Sequence, residues 1–137
     1  MDVDDYDHAT EIGVRFRDLD TNNHVNNAVY VSYLEQARAE YFDDVIGVSL
    51  ADAGVALASI EVEYSAPVAY GETVTVHTRV PDLGRSSFPI ENVVETERGT
   101  TATAEMTAVA FDPAAERSRP LPEAWRERIA RHEGLAD

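Results

Sequence analysis

A single helical pattern of unusual length constrains what this chain can fold into. Between residues 28 and 46, apolar side chains recur at spacings of three and four, which predicts one apolar stripe along a helix: Tyr30, Tyr33, Leu34, Ala37, Tyr41 and Val45. Gly47 is a natural stop for this helix. At about 1.5 Å per residue, the helix would be roughly 28 Å long. So long a helix in a chain of 137 residues suits a fold in which a sheet wraps the helix lengthwise.

Patterns of period two lie on both sides of the helix and predict strands. Residues 10–17 form the first strand, with Ile12, Val14 and Phe16 on one face. From residue 55 four more strands follow with short turns, and we interpret them as an antiparallel meander. One face of the first of these four carries Ala56, Ala58, Ile60, Val62 and Tyr64. One face of the last strand carries small side chains that would let the helix approach closely: Ala102, Ala104, Met106, Ala108 and Ala110.

The order of these patterns predicts an α+β fold in a single domain, with a five-stranded antiparallel sheet wrapped around one long helix. Residues 1–9 are predicted to be a loose acidic tail. Residues 113–137 form a C-terminal extension, in which Leu121, Trp125 and Ile129 give a short helix its apolar side.

The acidic composition limits the partners of this chain. The net charge is −15 and there is no Lys, so nucleic acid and anionic membranes are poor partners. The absence of Cys excludes disulfides and Cys-ligated zinc. The acidic N-terminus is no signal peptide, and no run approaches the roughly 18 apolar residues of a membrane span, so we expect a cytoplasmic protein. The surface charge favours a halophilic protein, although an acidic protein from a GC-rich genome has the same composition.

The richest polar stretch is residues 18–27, which hold two Asp, one His and four Asn between the first strand and the helix. A helix N-terminus offers unpaired N–H groups and a partial positive charge, which suits an oxyanion. The alternative is that these residues only cap the helix. The stretch begins with Asp-x-Asp-x-Asn, as calcium loops do, but Asn23 and Val29 stand where such a loop needs Gly and Glu. Calcium is therefore excluded.

This stretch carries a family resemblance. Residues 20–30 read DTNNHVNNAVY and residues 35–38 read EQAR, which resembles the 4-hydroxybenzoyl-CoA thioesterase-like branch of the hotdog fold. The run Asp-x-Asn-x-His-Val-Asn-Asn is also similar to that of plant acyl-carrier-protein thioesterases. The resemblance covers about residues 10–111 and implies an acyl-CoA thioesterase that needs no cofactor or metal. It also implies that two subunits pair their sheets edge to edge, in a homodimer or homotetramer.

By this resemblance, four residues are candidates for the catalytic machinery. Asp20 would attack the thioester carbonyl or activate water, and the backbone N–H near Asn27 would stabilise the oxyanion. Asn22 and His24 match residues with catalytic or orienting roles in the carrier-protein enzymes. The alternative for His24 is that it only hydrogen-bonds the loop, and Asn26 is interpreted as structural.

The expected substrate contacts are Arg85, Ser87 and Tyr30. The first two follow a turn, in a segment where relatives contact the pantetheine or phosphates of CoA, and Arg suits phosphate. Glu35 is a reserve catalytic acid, because some hotdog thioesterases carry the acid on this helix. The alternative for Glu35 is an intrahelical ion pair with Arg38.

The sequence leaves two other functions open. A hotdog enoyl-CoA hydratase would carry Gly before the Asp and its His one residue later, whereas here Leu19 precedes Asp20 and His24 comes early. A non-catalytic acyl-binding hotdog protein is the second alternative, and the intact Asp20 speaks against it. The acyl chain and the choice between CoA and carrier protein stay open, although the acidic surface disfavours an acidic carrier.

Overall fold

A computed structural model describes residues 3–136 of the chain. Its strands are β1 (His8–Gly13), β2 (Val55–Tyr64), β3 (Thr73–Arg79), β4 (Ser87–Thr96), β5 (Gly99–Asp112) and the short β6 (Arg117–Ser118). Its helices are α1 (Asn27–Tyr41), α2 (Leu50–Ala53) and α3 (Glu123–Glu133). Strands β1 to β5 form one antiparallel sheet around α1, and β6 pairs only with β5. The predicted α+β fold with one long helix and a short C-terminal helix is confirmed.

The predicted meander is wrong in one respect. The strand order is β1-β3-β4-β5-β2, so only β3, β4 and β5 form a meander. Strand β2 pairs with β5 at the far edge of the sheet and does not pair with β3. Residues 65–72, which follow β2, therefore cross the end of the sheet to reach β3. We call them the crossing segment.

The core lies between α1 and the inner face of the sheet. The apolar stripe of α1 is at most 3% exposed at Tyr30, Tyr33, Leu34, Ala37 and Tyr41. The five small side chains predicted on β5 are all buried, which lets the helix lie close to the sheet. Regular α-helix ends at Tyr41, and one π-helical turn (Phe42–Ile46) continues to Gly47, whose φ of 80° closes the helix.

Strand β2 leaves its outer edge without a partner strand among residues 3–136. A bulge between Leu57 and Ser59 reverses the phase of the strand, so Leu57 lies opposite the buried Ala108 and Ala56 points to the outer face. The prediction that Ala56 shares a face with Ile60, Val62 and Tyr64 is thus wrong, because the period of two does not continue through the bulge. Apolar side chains at this edge, such as Leu57 and Ile60, are more than a third exposed.

The N-terminal region differs from the loose tail that the sequence predicts. Tyr6 and His8 are buried, with the Arg79 guanidinium 4.5 Å from the centre of the Tyr6 ring. The first strand is β1, shifted from the predicted 10–17, and a 3-10 turn (Phe16–Asp18) follows it. Phe16 is 76% exposed, because this turn takes it out of the strand pattern. The part of the tail prediction that concerns residues 1 and 2, and the last residue of the C-terminal extension, lie outside the described residues.

Helix α3 packs its predicted apolar side onto the end of α1. Leu121, Trp125 and Ile129 are buried, and the Trp125 ring lies edge-on to Phe42 at 5.8 Å. Within residues 3–136, no helix is long and apolar enough to cross a membrane.

Candidate active site

The polar loop between β1 and α1 is anchored at its base by Asp18. The backbone carbonyl of Asp18 accepts a hydrogen bond from Asn26 N–H at 2.9 Å, which closes the loop. The buried carboxylate accepts the Tyr33 hydroxyl at 2.7 Å and Arg15 N–H at 3.0 Å. Burial would raise the pKa of Asp18, but these hydrogen bonds outweigh burial and lower it. Asp18 is therefore a buried anchor, and not a solvated residue at the end of a strand.

Asp20 lies inside this loop with its side chain partly exposed. Its Oδ1 accepts hydrogen bonds from Asn22 N–H at 2.8 Å and His24 N–H at 3.3 Å. Asp20 N–H donates to the His24 carbonyl at 2.8 Å, and Asn23 takes the left-handed conformation at the turn with φ of 62°. These bonds orient the carboxylate, and its other oxygen has no hydrogen bond from any residue in 3–136.

Helix α1 begins directly after the loop, and Asn26 caps its first turn. Asn26 is the N-cap, because its Oδ1 accepts Ala28 N–H at 2.8 Å and its carbonyl accepts Val29 N–H at 2.9 Å. Asn27 N–H has no acceptor within the described part of the chain. The structural role expected for Asn26 fits this geometry, and the N–H of Asn27 is the helix N-terminal donor that remains available.

An open pocket of about 300 Å³ brings several predicted residues together. Asp20 and His24 line it from the loop, and Asn27 and Tyr30 line it from α1. The side chain of Asn22 is exposed and does not line it; Asn22 contributes its backbone N–H to Asp20. The pocket therefore collects three of the four catalytic candidates and one of the three candidates for substrate binding.

The opposite wall of the pocket was not foreseen in the sequence. It consists of Tyr64, at the end of β2, and of Ser65, Ala66 and Pro67 in the crossing segment. The Tyr64 hydroxyl donates to the Asn27 carbonyl at 2.7 Å, and its ring lies edge-on to Tyr30 at 5.0 Å. Burial raises the pKa of Tyr30, so this phenol stays neutral. A tyrosine at the end of a strand gives no local sign that it will meet a helix N-terminus.

Backbone pairing holds the crossing segment against the polar loop. Val25 N–H donates to the Val68 carbonyl at 2.8 Å, and His24 and Ala69 form an isolated antiparallel bridge. Val68 is fully buried. The crossing segment is therefore joined to the polar loop at this end of the sheet through Val68 and Ala69.

Three sequence candidates lie elsewhere. Ser87 pairs with Val109 on β5, whereas Tyr64 pairs with Ala102 on the same strand. Seven residues of strand separate the two pairs, which is about 23 Å. Arg85 lies two residues before Ser87 and is exposed, so neither residue reaches the pocket of its own chain.

Glu35 is the third candidate outside the pocket. It is exposed on α1, two helical turns beyond Asn27, and does not line the cavity. Its carboxylate lies 3.9 Å from Arg38, which fits the ion-pair alternative better than the catalytic one. Burial lowers the pKa of Arg38, and Glu35 partly offsets this effect. Within residues 3–136, no group of three or more His, Asp or Glu side chains could hold a metal ion.

Known proteins resemble the chain over most of its length. Residues 14–129 match the model of the family described as the Thioesterase-like superfamily. The long-chain acyl-CoA thioesterase FadM of Escherichia coli K12 is 28% identical over 125 residues, which covers 88% of this chain and 95% of FadM. The chloroplastic acyl-acyl carrier protein thioesterase ATL2 of Arabidopsis thaliana is 32% identical over 80 residues, which covers 56% of this chain and 43% of ATL2.

A solved structure shows the same architecture. The thioesterase of Thermus thermophilus, complexed with coenzyme A and Zn, superposes with a TM-score of 0.88 at 39% identity. The match covers 96% of this chain and 98% of the Thermus protein. The matches support the hotdog thioesterase resemblance, while the narrower 4-hydroxybenzoyl-CoA branch stays a prediction.

Proposed function

Because the chain belongs to the thioesterase-like superfamily, we propose that it hydrolyses an acyl-CoA thioester to the free acid and CoA. One observation carries the proposal: Asp20 and Asn27 line the same pocket at the N-terminus of α1, and within residues 3–136 the Asn27 N–H has no acceptor. The names of two similar proteins support the choice of substrate, since FadM is a long-chain acyl-CoA thioesterase and the Thermus enzyme was solved with coenzyme A.

The Asn27 N–H is the proposed oxyanion donor. Asn26 accepts the next two N–H groups of the helix, those of Ala28 and Val29, whereas the Asn27 N–H has no acceptor within residues 3–136. The partial positive charge of the helix N-terminus adds to this hydrogen bond. A donor fixed in this way needs no reorganisation when charge develops on the thioester oxygen.

Asp20 is proposed to act on the thioester carbonyl carbon in one of two ways. As a nucleophile, its carboxylate attacks the carbon, the C–S bond breaks, CoA leaves as a thiolate that takes a proton, and water hydrolyses the mixed anhydride. As a general base, it takes a proton from water, the hydroxide attacks, and the C–S bond breaks in the same manner. Both routes use the Asp20 oxygen that has no hydrogen bond within residues 3–136.

Supporting roles follow from the remaining pocket residues. Asn22 would act through its backbone N–H on Asp20, and not through its exposed side chain. The exposed His24 ring lines the pocket and would contact the thioester or its carrier arm. Tyr30 and Tyr64 would form an aromatic wall beside the acyl group. The thiol would leave toward the open side of the pocket.

Arg85 and Ser87 are proposed to serve the pocket of a second subunit. If two β2 strands pair antiparallel about a two-fold axis, the Val55 end of one strand lies opposite the Tyr64 end of the other. Val55 and Ser87 flank the same end of β5. The Arg85 side chain of one subunit would then approach the pocket of its partner. This pairing also gives the exposed β2 edge a partner, in a homodimer or within a homotetramer.

The test is a panel of acyl-CoA thioesters of different chain lengths, with and without aromatic rings, assayed for free thiol in molar KCl. Thiol release from at least one substrate is the expected result. Hydration of an enoyl-CoA without thiol release would instead favour the hydratase alternative. Tight acyl-CoA binding without any turnover would favour the non-catalytic alternative.

A further inference from the structure

The crossing segment both lines the pocket and pairs with the polar loop, so its position affects the shape of the pocket. One side supplies the wall at Ser65, Ala66 and Pro67, and the other side pairs with His24 and Val25 of the polar loop. A shift of this segment would move the wall relative to Asp20. Its position is held from outside the pocket by an ion pair.

Arg98 makes this ion pair from the turn between β4 and β5. Its Nη2 donates to the Pro67 carbonyl at 2.8 Å and to Glu72 Oε1 at 2.9 Å, and its Nε donates to Glu72 Oε2 at 3.1 Å. Glu72 Oε1 also accepts Ala69 N–H at 2.8 Å. One guanidinium thus fastens both ends of residues 67–72 to the neighbouring hairpin.

The charges of this pair reinforce the geometry. The hydrogen bonds from Arg98 and then from Ala69 N–H lower the pKa of Glu72, although partial burial opposes them. Glu72 is therefore ionised at neutral pH and accepts the planar fork of the guanidinium with both oxygens. Bidentate pairs of this kind fix orientation as well as distance.

We infer that Arg98 and Glu72 are positioning residues for the reaction proposed above, on which this inference rests. They act through a chain of contacts: Glu72 holds Ala69, Ala69 bridges His24, and His24 N–H holds the Asp20 carboxylate. Neither residue lines the pocket. Their effect is to fix the distance between the catalytic loop and the opposite wall.

An ion pair that only stabilised the fold would behave differently. The Arg98 side chain is half-exposed, and exposed ion pairs contribute little to global stability. Loss of the pair should therefore leave the melting temperature nearly unchanged while it lowers kcat. Because a small misplacement of groups around a reacting centre is costly, we expect Arg98→Gln to lower kcat roughly tenfold, with a much smaller change in KM.

A matched control is available on the outer face of the same sheet. Arg79 Nε binds Glu91 Oε1 at 2.7 Å, and both side chains are about as exposed as Glu72. Arg79→Gln removes one positive charge, this ion pair and the guanidinium contact to the Tyr6 ring, all far from the pocket, and should leave kcat unchanged. The double variant Arg98→Gln/Glu72→Gln should lose no more activity than Arg98→Gln alone, because the two residues act as one unit.

Hydrogen exchange tests the same inference without any substrate. In Arg98→Gln, the amides of Val25 and Ala69 should exchange faster than in the wild type, and in Arg79→Gln they should not. Unchanged exchange at both amides would overturn the inference. So would normal kcat in Arg98→Gln, an equal loss in Arg79→Gln, or additive losses in the double variant. If the wild type releases no thiol from any acyl-CoA, the proposed function fails, and the exchange result still decides the positioning role.

Discussion

Replacement of Asp20 by Asn tests the proposed chemistry with little change of shape. An Asn side-chain oxygen can accept the same hydrogen bonds from Asn22 N–H and His24 N–H, so the turn should survive. Its NH2 group would then take the place of the carboxylate oxygen that has no hydrogen bond within residues 3–136. The variant loses the negative charge and the oxygen that is proposed to attack the substrate or to accept a proton.

The expected loss follows from that single change. Removal of a positioned acid or base typically lowers turnover by roughly 10²-fold or more. A hundredfold loss corresponds to about 2.7 kcal/mol of barrier. Acyl-CoA affinity should be retained, because the aromatic wall and Asn27 N–H remain. Single-turnover release of thiol, with a separate measurement of ligand affinity, gives the two quantities independently.

Asp112→Asn is the matched control for this experiment. Its Oδ1 accepts backbone N–H groups from Ala114 at 3.0 Å and Ala115 at 3.4 Å, as Asp20 does in its own turn, but Asp112 does not line the pocket and has no role in the proposed reaction. The control should keep normal turnover. If Asp20→Asn also keeps near-normal turnover while Glu35→Gln abolishes it, the catalytic acid belongs on α1 and the assignment of Asp20 is wrong.

The remaining predictions concern stability and assembly. Tyr33→Phe should lower the free energy of unfolding by about 1–3 kcal/mol, because the buried Asp18 loses a donor, and urea titration would measure it. Since the pKa of Asp18 is lowered in the folded state, the Asp18 carboxylate should stabilise the fold above about pH 4, and this stabilisation should be lost as the pH falls further. Melting temperatures measured across that pH range would test this. The melting temperature should rise between low and molar KCl because salt screens the net charge of −15, and a flat curve would contradict salt adaptation. In molar salt the protein should sediment as a dimer or tetramer. Ile60→Arg places a charge on a partly exposed side chain at the β2 edge, and should give monomers with reduced turnover. A wild-type monomer that is active would contradict a site shared between subunits.

Local patterns in the sequence predicted the elements better than their arrangement. The stripe of α1, the small side chains of β5 and the apolar side of α3 each depend on spacing within one element, and the structure buries all three. The position of β2 depends on which distant strand it meets. A hairpin and a crossing can use connections of similar length, so Pro67 and Gly71 alone could not distinguish them.

Local patterns also predicted one part of the site, whereas the residues that come from distant elements were missed. Asp20, His24, Asn27 and Tyr30 lie within eleven consecutive residues, so a strand-to-helix junction was enough to bring them together. Tyr64 comes from the end of a strand that the predicted meander placed elsewhere. Arg98 comes from a hairpin whose sequence indicated only a turn. No spacing rule links these later residues to the polar loop.

The proposed dimer would explain two departures from expectation, the remote Arg85 and the exposed β2 edge. Within a chain, Arg85 lies at the end of the sheet opposite the pocket, because β4 and β5 run the full length between them. Antiparallel pairing through β2 exchanges the two ends, since a two-fold axis sets the Val55 end of one subunit beside the Tyr64 end of the other. In the proposed dimer, a separation of about 23 Å within one subunit would thus become proximity between two subunits. The half-exposed Leu57 and Ile60 lie along that edge, where a second copy would cover them.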